Sequence, residues 1–157
     1  MAPTKTETKP KLPKRTSTTG KASQGFSAEE KAAARERLRE LKAEAAKADG
    51  ETELLAAIAK MQEPDRAMAK KVHALINAAA PGLAPKTWYG MPAYSKDGNV
   101  ICFFKNAGKF NARYHNLGFS DKANLDDGGM WPSEYALMKL TATEEAKITS
   151  LVKKAVR

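Results

Sequence analysis

DGNVICFFK, residues 97–105, is the stretch that decides the fold. Asp97-Gly98 is a hairpin signal, because a two-residue turn between paired strands needs positive φ at both positions. Val100 to Lys105 then reads as a strand that is apolar on both sides, with Val100, Cys102 and Phe104 on one face and Ile101 and Phe103 on the other. Such a strand belongs inside a sheet, covered on both faces. Asn106-Ala107-Gly108 turns the chain, and Lys109 to Leu117 alternates at the period of a strand. Phe110, Ala112 and Tyr114 share one side, and Lys109, Asn111, Arg113 and His115 the other, which predicts a polar, basic strand face. Upstream, Lys86–Tyr89 and a piece beginning at Tyr94 are short and extended, joined by a bend at Gly90-Met91-Pro92. Downstream, residues 118–134 form a loop rich in Gly, Asp and Asn, and Ala136 to Leu140 reads as a last strand.

Helices flank this region. Ser27 with Glu30, and Thr141 with Glu144, have the spacing of capping boxes. Residues 28–48 contain only helix-favouring types with a thin stripe of Ala34, Leu38, Leu41, Ala45 and Ala48, and Asp49-Gly50 predicts its end. Leu54, Leu55, Ile58 and Met61 predict a second, short helix. Met68, Val72, Leu75, Ile76 and Ala79 predict a third, running from Pro64 to about Ala80. Ile148, Leu151, Val152, Ala155 and Val156 line the last. The fold class expected is α+β, an antiparallel sheet of about four to five short strands packed on N- and C-terminal helices, plus a long N-terminal Ala/Glu/Lys-rich helix. The domains expected are a disordered basic tail (1–25), a charged helical extension (26–50) and an α+β domain (51–157).

The chain has 157 residues and a net charge of +9, unevenly spread. Residues 1–25 hold Lys5, Lys9, Lys11, Lys14, Arg15 and Lys21 against Glu7 alone, with almost nothing apolar to offset the entropy of ordering. Lys9, Lys11, Lys14 and Arg15 are candidates for a weak nucleic-acid arm, or else part of a solubilising leader. No window approaches the roughly 18 apolar residues of a membrane span. The N-terminus lacks the apolar core of a secretory signal, so the expected compartment is the cytoplasm. The single cysteine, Cys102, excludes an internal disulfide and any CxxC site.

Nothing in the sequence announces catalysis. Cys102 sits in an apolar strand, where a thiol packs rather than reacts, and His73 lies beside the apolar stripe of its helix. Asp121, Asp126, Asp127 and Glu134 form the densest acidic group, able either to hold a cation or to satisfy backbone groups in turns. Trp88, Tyr89, Met91, Tyr94 and Trp131, with Lys105, Lys109, Arg113 and His115, could line an apolar pocket with a cationic rim for a small anion or a peptide, or could seal the core.

Trp88-Tyr89-Gly90-Met91-Pro92-Ala93-Tyr94, Cys102-Phe103-Phe104-Lys105, Leu117-Gly118-Phe119-Ser120-Asp121, Ala123-Asn124-Leu125-Asp126-Asp127-Gly128 and Met130-Trp131-Pro132 together resemble the YdhG-like domain of unknown function. That family is described as frataxin-like bacterial iron chaperones. The resemblance covers roughly residues 50–157, and the helix before it is similar to an extension in one branch of the family. It implies a small α+β fold without catalysis, no required cofactor beyond iron itself, and delivery of iron to an iron–sulfur or haem assembly protein. The residues also allow a different reading, a binding module for an anionic partner (nucleic acid or a small anion) through the basic tail and the basic strand face.

Overall fold

The computed structural model describes residues 27–157. The basic tail, its Lys9, Lys11, Lys14 and Arg15, and the onset of order expected at Phe26 lie outside the described residues. Three helices, α1 (Ala28–Ala59), α2 (Asp65–Ala79) and α3 (Ala142–Ala155), accompany five strands. These are β1 (Ala84–Trp88), β2 (Met91–Lys96), β3 (Asn99–Lys105), β4 (His115–Phe119) and β5 (Glu134–Leu137), with a 3-10 turn at Gly108–Phe110. The sheet is an antiparallel meander in the order β1-β2-β3-β4-β5. The fold is α+β, as the alternation of the strands and the helical stripes predict. No helix among the described residues is long and apolar enough to cross a membrane.

By contacts the chain divides into a unit ending at Glu40 and a unit from Leu41 to Arg157. The described part of the first is exposed helix, begun by the Ser27–Glu30 box and laced by Arg37–Glu40 and Arg39–Glu36 pairs. In the second, Leu54 and Ile58 of α1, Val72 and Ile76 of α2, and Ile148 and Val152 of α3 close on Tyr94, Cys102, Phe104, Leu117 and Leu137 of the sheet. These apolar side chains, removed from water together, supply the main folding force.

The break expected at Asp49-Gly50 does not occur, and α1 runs straight through it. A glycine inside a helix costs about 1 kcal/mol relative to alanine. Gly50 is needed because a Cβ there would strike the backbone carbonyl of Pro85, the point where β1 passes closest to the helix. The alternating stretch 109–117 is also not one strand. Lys109 and Phe110 lie in the 3-10 turn, Asn111 is left-handed (φ 50), and β4 starts only at His115. The polar strand face expected of Lys109, Asn111, Arg113 and His115 therefore never forms. The last strand begins two residues earlier than expected, at Glu134, and ends at Leu137.

β3 is central, between β2 and β4. Tyr94 pairs with Cys102 but Ser95 with Val100, so Ile101 is an extra residue in a bulge. The bulge brings Ile101 into the same core as Cys102 and Phe104 instead of leaving it with Phe103. Both two-residue hairpin turns, Tyr89-Gly90 and Asp97-Gly98, have positive φ at each position.

At the start of α3, Glu144 accepts the Thr141 backbone N–H at 2.7 Å and the Thr141 hydroxyl. The Thr141 hydroxyl, and then its backbone N–H, hold the Glu144 carboxyl below its ordinary pKa. A lowered folded-state pKa stabilises above the ordinary carboxylate range and loses that effect as pH falls through the lowered value. Glu144→Gln should therefore be less stable than the parent at neutral pH, and the gap should close in acid, as urea unfolding at several pH values will measure. Gly50→Ala should destabilise by about 1–3 kcal/mol in the same assay, because the clash of overpacking outweighs the gain in helix propensity.

Candidate functional site

The described residues singled out by the sequence do not form one group. Tyr94 is on the helix-covered face of the sheet, fully buried, with its hydroxyl 2.9 Å from His73 Nδ1. His73 Nε2 lies 3.1 Å from the Asn77 amide nitrogen and 3.4 Å from Glu51. Burial, with smaller contributions from Cys102 and Glu51, pushes the Tyr94 phenol well above its usual range, so it stays protonated and holds α2 to β2. Burial likewise pushes the Cys102 thiol up to about 12, leaving no thiolate for chemistry near neutral pH.

His115 belongs to a second place. Its Nδ1 accepts the Ala107 N–H at 3.0 Å, so the proton of the neutral ring sits on Nε2, which faces Asp65 Oδ1 at 3.9 Å. Asp65 Oδ2 accepts the Gly108 N–H at 2.8 Å and the Asn106 amide N–H at 3.1 Å. This buried carboxylate, at the first residue of α2, ties the helix start to the β3–β4 connection. A Cβ on Gly108 would sit 2.7 Å from Asp65 Oδ2, so the backbone needs glycine to come this near. Asn106 Oδ1 is buried without a partner among the described residues.

Trp131 is in a third place. With Met130, it lines a shallow hollow in the β4–β5 connection that also includes Asp121 and Asp126. Asp121, Asp126, Asp127 and Glu134 are all exposed. Among the described residues, no three His, Cys, Asp or Glu side chains come together where they could hold a metal ion.

Trp88, Tyr89, Met91 and Lys109 do come together. Trp88 pairs with Met91 across the β1–β2 hairpin, and its ring meets Phe103 at 5.2 Å across β2. Phe103 in turn lies across Gly118, where a Cβ would strike the ring. These residues lie on the sheet face opposite Tyr94, Cys102 and Phe104, and none belongs to the helix–sheet core. Tyr89 stands edge-on to Trp88 at 5.1 Å, and its carbonyl accepts a Lys109 ammonium N–H at 2.9 Å. The Lys109 and Lys105 ammonium groups lie 5.6 and 4.6 Å from the Phe110 ring centre. Phe103, Trp88 and Tyr89 meet ring to ring, the Tyr89 backbone carbonyl passes the chain of contacts to Lys109, and Lys109 and Lys105 both lie over Phe110. Trp88 is 37% exposed, Phe110 43% and Tyr89 80%. Arg113 lies elsewhere, its guanidinium 5.3 Å from the Tyr114 ring.

Tyr89 has φ 49 in a turn where asparagine or glycine is the usual choice. A left-handed conformation costs a non-glycine residue about 1–2 kcal/mol, and a ring this exposed returns little by burial. Phe103 and Phe110 were not singled out by the sequence, whereas Lys105 stood beside Lys109 among the cations expected to rim the pocket. Phe103 read as core, and Phe110 was assigned to a strand that does not form.

Comparison with protein-family models, curated proteins and solved structures gives no match to this chain.

Asp65→Asn should destabilise by about 1.5–3 kcal/mol in urea unfolding, because an amide cannot accept both N–H groups with the strength of a carboxylate. Cys102 should resist an aromatic disulfide reagent at pH 8 in the native protein and react promptly once the chain is unfolded.

Proposed function

We propose that the protein is a non-enzymatic cytoplasmic binding module that takes single-stranded nucleic acid on the aromatic–lysine face of its sheet. The observation that carries this reading is the exposed ring pair Trp88–Tyr89, joined through Lys109 to the exposed Phe110 with Lys105 beside it, outside the core. Exposed rings offer π faces on which bases stack whatever their sequence, and the ammonium groups beside them suit the phosphates between bases. The whole-chain charge of +9 draws a polyanion to the surface. The strained, exposed Tyr89 fits a residue kept for contact with a partner rather than for folding. Duplexes, whose bases are already stacked, gain nothing from such a face. The carboxylates offered for the iron-carrying role implied by the resemblance to the YdhG-like domain are Asp121, Asp126 and Asp127 in the β4–β5 connection and Glu134 at the start of β5, and among the described residues no metal-holding cluster of His, Cys, Asp or Glu is formed.

Anisotropy titration of a labelled oligoadenylate should give binding that weakens with salt, log K falling by about 0.7 per tenfold rise in salt for each phosphate neutralised. Trp88→Ala should weaken it by about 1–3 kcal/mol, the worth of one stacked base. Lys105→Ala with Lys109→Ala should weaken it and flatten the salt slope. Equal affinity for duplex and single strand, or full affinity in Trp88→Ala, would sink the reading.

A further inference from the structure

A cleft of about 790 Å³ opens beside this face. The volume is within the range of roughly 300–1,000 Å³ typical of small-molecule sites. One wall is the α1 surface formed by Glu53, Ala56 and Ala57, continued at helical spacing by Lys60 in the turn just past the helix end, with Met61 below. The opposite wall is Thr87 and Gly90 of the β1–β2 hairpin and Asn106, Gly108 and Lys109 of the β3–β4 connection. Cleft and face share an edge: Thr87 and Gly90 bracket Trp88 and Tyr89, and Lys109 borders both.

The charges in the cleft are not equally available. Asp65 at its base is occupied by Asn106 and the Gly108 N–H. Lys109 gives one N–H to the Tyr89 carbonyl, leaving two of its three donors. Lys60 is exposed and makes no ion pair among the described residues. Glu53, which accepts a hydrogen bond from the Thr87 hydroxyl at 3.5 Å, has acceptor capacity left at the other end. Between these ends, Ala56, Ala57 and Met61 present small or flexible apolar groups and leave room for a flat ring. An anionic group at one end, a donor-bearing ring or sugar at the other and an apolar middle are the chemistry of a nucleotide.

We infer that one nucleotide unit of the bound strand leaves the stack at Tyr89 and enters this cleft. Its phosphate meets Lys60 and Lys109, its ring lies against Ala57 and Met61, and its amino or hydroxyl donors reach Glu53. The inference rests on the single-strand reading of the face and adds to it a pocket that holds one unit.

The test uses the full chain carrying Trp131→Phe, so that Trp88 is the sole tryptophan. A short oligoadenylate is followed by Trp88 quenching. AMP, adenosine and inorganic phosphate are followed separately by amide chemical shifts. AMP should move the resonances of Ala56, Ala57, Met61 and Lys109, and more so than adenosine or phosphate alone. Ala56→Phe, which fills the cleft from an exposed helix position, and Lys60→Ala should each weaken AMP by about tenfold and weaken the oligonucleotide as well. Unchanged oligonucleotide affinity in both variants, with no AMP-induced shift in the cleft, would overturn the pocket and leave the face standing. Absence of Trp88 quenching by the oligonucleotide in the parent would overturn the face and the pocket with it.

Discussion

The Asp65 carboxylate is the contact on which the arrangement of the other parts depends. It is almost wholly enclosed, and its environment gives it two N–H donors and the Nε2 edge of His115. An ionised group taken from water is costly unless it is bonded on nearly every side. That requirement fixes α2 against the β3–β4 connection, because neither can shift without exposing or orphaning the charge. The 3-10 turn that presents Lys109 and Phe110 hangs from this connection, and the Lys109 bond to the Tyr89 carbonyl extends it to the first hairpin. The start of α2 and two loops that share no strand meet at one edge of the molecule, joined through this carboxylate and Lys109.

Much of the architecture could be read from residue patterns, and the exceptions have local causes. The α2 and α3 stripes are strong because Val72, Ile76, Ile148 and Val152 recur at 3.6-residue spacing, and those residues are buried. The central strand was equally plain from Val100 to Phe104. What periodicity could not reveal was non-local. Gly50 resembles a helix stop because its reason for being glycine lies in Pro85, thirty-five positions away. Residues 109–114 alternate as a strand would, yet Asp65 captures the Gly108 N–H and pulls that segment into a 3-10 turn. The bulge at Ile101 depends on where β2 pairs, which no pattern within β3 records.

The aromatic–lysine face was only half visible for the same reason. Trp88, Tyr89 and Lys109 stand out as aromatic or basic residues near Gly and Pro. Phe103 and Phe110 join them through the fold, one across a neighbouring strand and the other through a turn. Tyr94 and His115 looked like members of the same group, but the alternation of the strands sends them to the opposite face of the sheet, where each has a structural partner. Membership in the site is decided by sheet parity more than by nearness along the chain.

Tyr89 also bears on how this protein would respond to selection. Asparagine at that turn position would relieve backbone strain and remove an exposed ring in one step, so any screen that rewards only heat resistance or solubility should drift toward it. The more stable chain would be the one that had lost the proposed contact surface. In this molecule the residue least suited to its place in the fold is the better guide to what the fold is for, and a sequence optimised for folding alone would erase that record first.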